Sequence, residues 1–112
     1  MQSLKGTVGK RSMKGKIDLE PWEISELTPW FEGGIYALET LERWEQLELD
    51  FFNITPDQVI QMLKHLGYKQ INYDCNGWEQ NTWLYFSHPE HKNLCFFYSG
   101  RYGNMNISLA ED

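Results

Sequence analysis

Apolar and polar positions along this 112-residue chain change period at Gly67, helical before it and strand-like after it. The sharpest local pattern is Ile54-Thr55-Pro56-Asp57-Gln58-Val59. Thr55 is suited to cap a helix and Pro56 to occupy its first position. Asp57 complements the helix dipole, Gln58 closes a capping box, and Ile54 is placed to staple onto Val59. Val59, Ile60, Leu63 and Leu66 then form one apolar stripe, and Gly67 is a left-handed terminator. A helix over 56–66 follows.

Beyond Gly67 the alternation is that of strands. Ile71, Tyr73 and Cys75 alternate with Asn72 and Asp74, and Asn76-Gly77 reads as a tight turn. Residues 82–87, 94–99 and 105–109 complete a four-stranded antiparallel meander, separated by His88-Pro89-Glu90 and by Gly100-Arg101-Tyr102-Gly103-Asn104. The last strand has Met105, Ile107 and Leu109 on one side and Asn106 and Ser108 on the other. The two central strands are apolar on both sides: Leu84 and Phe86 oppose Trp83 and Tyr85, while Leu94, Phe96 and Tyr98 oppose Cys95 and Phe97. Both faces of the sheet centre therefore need a cover, and helix 56–66 supplies one. The ordinary expectation is a second helix over the other face. The competing expectation is a docking or dimer surface there.

That second helix is expected over 35–46, where Leu38, Leu41 and Trp44 recur at spacing three and Glu39, Glu42 and Gln46 line another side. Ahead of it, Pro21 and Pro29 are expected to break any long helix, with Gly33-Gly34 as a hinge. Leu47, Leu49 and Phe51 alternate with Glu48 and Asp50 as a strand would. A helix continuing to Phe52 is the competing pattern. Residues 1–16, with three glycines and little hydrophobic pattern, are expected to be a flexible basic arm, leaving 17–112 as a single domain. The expected fold class is α+β: a four-stranded antiparallel meander with one packed helix and an acidic, partly helical N-terminal region.

Charge changes this picture. Residues 1–16 hold five bases and no acid, whereas residues 17–58 hold eleven acids against Arg43, so most of the overall −6 arises in one segment. That segment also contains Trp22, Trp30, Phe31 and Trp44. Acids among large aromatics suit docking on a basic partner, the charge steering encounter and the rings anchoring it. The ordinary alternative is a solvated helix face, but few bases are placed to pair with these acids at helical spacing.

Candidate chemistry is weak by comparison. His88-x-x-His91 with Glu90 and Cys95 has no second ligand pair at zinc spacing, and the segment reads as a solvated turn. Cys75 and Cys95 fall inside expected strands, as buried free thiols rather than nucleophiles paired with His65, His88 or His91. Gly9-Lys10-Arg11-Ser12-Met13-Lys14-Gly15-Lys16 misses a phosphate loop by one residue and has Ile17 where a magnesium-binding hydroxyl belongs. Asp74 and Glu79 flank a turn without groups to split their acidities.

These patterns lead to the expectation of a soluble, cytoplasmic, non-enzymatic protein with no metal, no cofactor and no membrane segment. It would inhibit or neutralise a larger basic, nucleic-acid-processing protein by occlusion, with Trp22, Trp30, Glu39, Glu42, Glu45 and Glu48 at the contact. Phage inhibitors of bacterial defence nucleases, anti-CRISPR proteins among them, and toxin immunity proteins share this profile as a class. A homodimer is compatible with it. The alternative is a single-stranded nucleic-acid-binding module using the basic arm and aromatic sheet, although residues 68–102 offer just Lys69, Lys92 and Arg101 as cations.

Overall fold

The computed structural model describes residues 17–40, 46–49, 53–78, 80–101 and 103–110. They form an α+β fold of two helices and a five-stranded antiparallel sheet. In chain order these are α1 (Pro21–Thr40), β1 (Gln46–Glu48), α2 (Pro56–His65), β2 (Lys69–Asn76), β3 (Asn81–Ser87), β4 (Leu94–Ser99) and β5 (Met105–Leu109).

The N-terminal helix overturns the expected break. α1 runs for 20 residues straight through Pro29, Gly33 and Gly34. Its start is well made: Pro21 stands at the first helical position, and Glu23 Oε1 accepts the Glu20 backbone N–H at 2.8 Å. Proline at position 29 removes the bond to the Ser25 carbonyl, but Ser25 and Pro29 are both exposed, so water can take that acceptor. On the other side Leu27, Phe31, Ile35 and Leu38 are buried at spacings of four, four and three. Burying each is worth about 1.5–3 kcal/mol, against roughly 3 kcal/mol for an interior proline and about 1 for each glycine. Packing outweighs propensity. Of the helix expected over 35–46, residues 35–40 belong to α1, residues 41–45 lie outside the described residues, and Gln46 belongs to β1.

β1 bears out the strand pattern beginning at Leu47, while Phe51 and Phe52 lie outside the described residues. It pairs with β5, Leu47 opposite Ile107, so the sheet has the order β1-β5-β4-β3-β2 rather than being a four-stranded meander alone.

α2 carries the capping features of its sequence. The Thr55 hydroxyl accepts from the Gln58 backbone N–H at 3.2 Å, and the Thr55 N–H donates to Gln58 Oε1 at 3.0 Å. At the other end Tyr68 N–H donates to the Leu63 carbonyl and Gly67 N–H to that of Lys64, both at 3.0 Å, which closes a Schellman motif. Gly67 has φ +97°, and a Cβ there would lie 2.8 Å from His88 Nε2. Val59, Met62 and Leu63 are fully buried, and Ile60 and Leu66 pack at the edge of the core.

Both helices lie on one face of the sheet. Leu27, Phe31, Ile35 and Leu38 of α1 share a single core with Val59, Met62 and Leu63 of α2 and with Leu47, Leu84, Phe86, Leu94, Phe96 and Ile107 of the strands. The expectation that the N-terminal helix covers the opposite face is therefore incorrect. α1 is too apolar along its inner stripe to pair with anything but the face where the other large side chains already converge.

The hairpin also differs from expectation. Asn76 pairs with Asn81, so four residues connect β2 to β3, and the left-handed backbone falls at Gln80 (φ 60°) rather than on Asn76-Gly77. The Asn76 side chain instead accepts from Trp78 N–H at 3.1 Å. All of β2 is exposed, including Cys75, because it is an edge strand beyond the reach of the helices. Cys95 is buried as expected.

Candidate binding surfaces

The first turns of α1 present one candidate surface. Leu19 N–H donates to Gln61 Oε1 of α2 at 2.8 Å, tying the entry of α1 to the second helix. Around this fixed start Asp18, Glu20 and Glu26 are exposed, and Trp22 is 59% exposed, one turn before Glu26 on the same side. An open groove of about 540 Å³ runs beside them, lined by Pro21, Ile24, Ser25, Thr28, Pro29 and His65. Glu23 does not join this surface. It is buried, with its carboxylate directed to the helix start.

The other residues expected at the contact are scattered. Trp30 is half-buried and packs on the core. Glu48 is half-buried and accepts from Gln46 Nε2 at 2.6 Å. Glu42 and Glu45, with Trp44, lie outside the described residues. Glu39 serves the fold: Oε1 accepts from His91 Nδ1–H at 2.9 Å and Oε2 from the Lys92 backbone N–H at 2.7 Å, clamping the turn between β3 and β4 onto the end of α1. Among the described residues of the expected set, Trp22 is the one standing on a surface of exposed carboxylates.

That clamp belongs to a ring cluster at the turn expected to be solvated. His88 and His91 stand 4.6 Å apart between ring centres, with Tyr68 4.7 Å from His88 and Tyr36 5.3 Å from His91. The His88 tautomer follows from its partners. Glu90 N–H donates to Nδ1 at 3.0 Å, so Nε2 carries the hydrogen and donates to the Leu66 carbonyl at 3.1 Å, capping α2. Tyr68 is buried and its hydroxyl is pushed up from its ordinary pKa, chiefly by burial and then by the carboxylate of Glu39 and the neighbouring Tyr36. That hydroxyl has no hydrogen-bond partner. The spacing of two histidines in a turn gave no sign of this assembly, because Tyr36, Glu39 and Tyr68 arrive from other elements. Among the described residues no three His, Cys, Asp or Glu side chains converge as metal ligands.

A third surface is the sheet face turned away from the helices. Trp83 and Phe97 lie opposite each other in the ladder with ring centres 5.4 Å apart, and Tyr85 lies opposite Cys95. Burial raises the Cys95 thiol pKa, and burial together with Cys95 and Asp74 raises that of Tyr85. The rim is mostly uncharged, with Asn72, Asn106 and Ser108 at outward register positions, Asp74 on one side and Glu48 on the other. At the tip of the β2–β3 hairpin Trp78 is 90% exposed.

Among the described residues no helix is long and apolar enough to cross a membrane. Comparison with known proteins gives no matching family model, no similar curated protein and no similar solved structure.

Proposed function

We propose that this chain is a small non-enzymatic binding protein that inhibits or neutralises a basic, nucleic-acid-processing protein by occluding its nucleic-acid-binding surface. The observation that carries this reading is Trp22, more than half exposed among Asp18, Glu20 and Glu26 at the anchored start of α1. An indole with more than half of its surface exposed can gain burial energy on docking, and exposed carboxylates in the same turns supply charge complementarity to a basic target. The carboxylates take positions that phosphates would occupy on the partner, and the indole fills an adjoining apolar pocket. In this reading Glu39 is left to the fold, its oxygens bonded to His91 and to the Lys92 backbone.

The test is a Trp22→Ala, Glu26→Lys double variant. Binding to the isolated partner should weaken at least about tenfold, the loss expected for one hot-spot residue, with an unchanged melting temperature. Wild-type binding should weaken with rising salt and should exclude nucleic acid from the partner. A partner that binds nucleic acid and this chain simultaneously would refute occlusion.

The outward sheet face favours a second reading, single-stranded nucleic-acid binding by ring stacking on Trp83 and Phe97. Asp74 and Glu48 beside it oppose phosphate. Titration with an oligothymidine at low salt separates the two readings: quenching of tryptophan fluorescence that is lost in Trp83→Ala supports stacking.

A further inference from the structure

A small cavity of about 20 Å³ lies between the second half of α1, the residues that follow α2 and the 88–93 turn, lined by Glu32, Ile35, Tyr36, Leu66, Tyr68 and His91. In this measure about 10–15 Å³ holds one water-sized group. The cavity therefore admits a single such group. Tyr68 is 95% buried and forms part of the wall, and its hydroxyl has no partner. An unmet buried hydroxyl is destabilising unless something hydrogen-bonds to it.

The charge of the lining selects among water-sized occupants. Glu32 is half-buried and makes no hydrogen bond or ion pair with a described residue. The His91–Glu39 pair carries either no charge or one negative charge, whatever the proton count of the imidazole. The lining is thus net negative. Anions are excluded, and a water would satisfy Tyr68 while leaving the Glu32 charge uncompensated. A planar guanidinium is too large for the space. We propose that the cavity binds a primary ammonium group, which donates to the Glu32 carboxylate and the Tyr68 hydroxyl and lies against the ring of Tyr36. That ring is 48% exposed and stands at the rim. Tyr68 stays neutral here, because its pKa is held above the ordinary value, and so remains an acceptor through its oxygen lone pairs.

The source of the ammonium rests on the proposed function: a lysine side chain of the basic partner enters the cavity while Trp22 and its carboxylates hold the partner nearer the start of α1. The chemistry is tested without the partner, using butylammonium as a lysine side-chain mimic and NMR signals of Tyr36, Tyr68 and His91 as the readout. Saturable shifts are expected with butylammonium, weaker shifts with propylguanidinium and none with sodium chloride at equal ionic strength. Glu32→Gln and Tyr68→Phe should each weaken binding about tenfold or more, the loss of one charge-assisted hydrogen bond. Tyr68→Phe removes the unmet hydroxyl without changing shape, so it keeps the test valid if Glu32→Gln folds poorly. A linear response equal to that of sodium chloride overturns the site and leaves an ordered water only. A lysine-containing peptide that binds the same signals more tightly than butylammonium, and more tightly than its arginine counterpart, identifies the lysine source. A peptide that binds more weakly than butylammonium overturns that source in favour of a free amine. Trp22→Ala with Glu26→Lys leaves the butylammonium response intact, so failure of the docking surface and failure of the cavity are read separately.

Discussion

Replacing Pro29 by Ala should stabilise this protein, and by a magnitude that tests whether α1 is one helix. Pro29 is exposed in the middle of α1, and its missing N–H leaves the exposed Ser25 carbonyl without an intrahelical donor. Alanine restores that bond and removes a ring that crowds the preceding turn, a gain of about 3 kcal/mol by intrinsic propensity. Two effects reduce it. The unfolded chain regains freedom worth about 0.4–1 kcal/mol, and a helix already adapted to proline recovers less than the full amount. A net gain of about 1–2 kcal/mol remains, which corresponds to a rise in melting temperature of roughly 4–8 °C for a domain near this size. Gly33→Ala is the companion: the residue is exposed, a Cβ there meets nothing within 4 Å, and the expected gain is about 0.5–1 kcal/mol. Thermal and urea unfolding followed by circular dichroism at constant m-value measure both. An unchanged or lowered melting temperature for Pro29→Ala would mean that the chain turns at residue 29, and the account of α1 as packing-driven would be wrong.

Other outcomes follow from burial and ionisation. Leu63, fully buried between α2 and the sheet, should cost about 2–5 kcal/mol when replaced by Ala, read by urea unfolding; a loss below 1 kcal/mol would contradict its position. Exposed Cys75 should react rapidly with a thiol reagent, while buried Cys95, its thiol pKa raised by burial, should react at a rate limited by opening of the fold. Equal rates would refute the placement of β2 as an open edge. The folded chain retains the Tyr68 proton at pH values where an unfolded tyrosine, with its ordinary value of 10.0, has lost it. Ionisation therefore favours the unfolded state: the Tyr68 contribution is constant below pH 10 and falls as pH rises above it. The stability difference between wild type and Tyr68→Phe should shift in that direction, and a difference independent of pH up to 11 would count against burial of the hydroxyl.

The candidate surfaces were legible to unequal degrees. That Trp22 stands among acids is visible in the sequence, and the structure adds that it is exposed. Composition groups Glu39 with the same acids, yet its oxygens are bonded to His91 and Lys92, more than 50 residues away in the chain. The spacing of His88 and His91 is informative about ligands on one element and silent about the rings of Tyr36 from α1 and Tyr68, three residues beyond α2. The cavity beside Tyr68 had no sequence signal, since an unmet hydroxyl is a property of packing and not of residue order.

What the sequence determined by itself is local and short-ranged. The capped start of α2 at Thr55, its glycine end at Gly67, the apolar runs of β3 and β4 and the alternation of β5 each follow from interactions within a few residues, where backbone hydrogen bonding and side-chain period leave few alternatives. Tertiary structure decided the rest by comparing larger energies. It carried α1 through Pro29 because four buried side chains outweigh one lost hydrogen bond, and it placed β1 at the far edge beside β5, where Leu47 meets Ile107. It put both helices on one face, leaving Trp83, Tyr85 and Phe97 on the other. These choices depend on which apolar stripes meet in space, and the order of residues along the chain does not contain that until the core has formed.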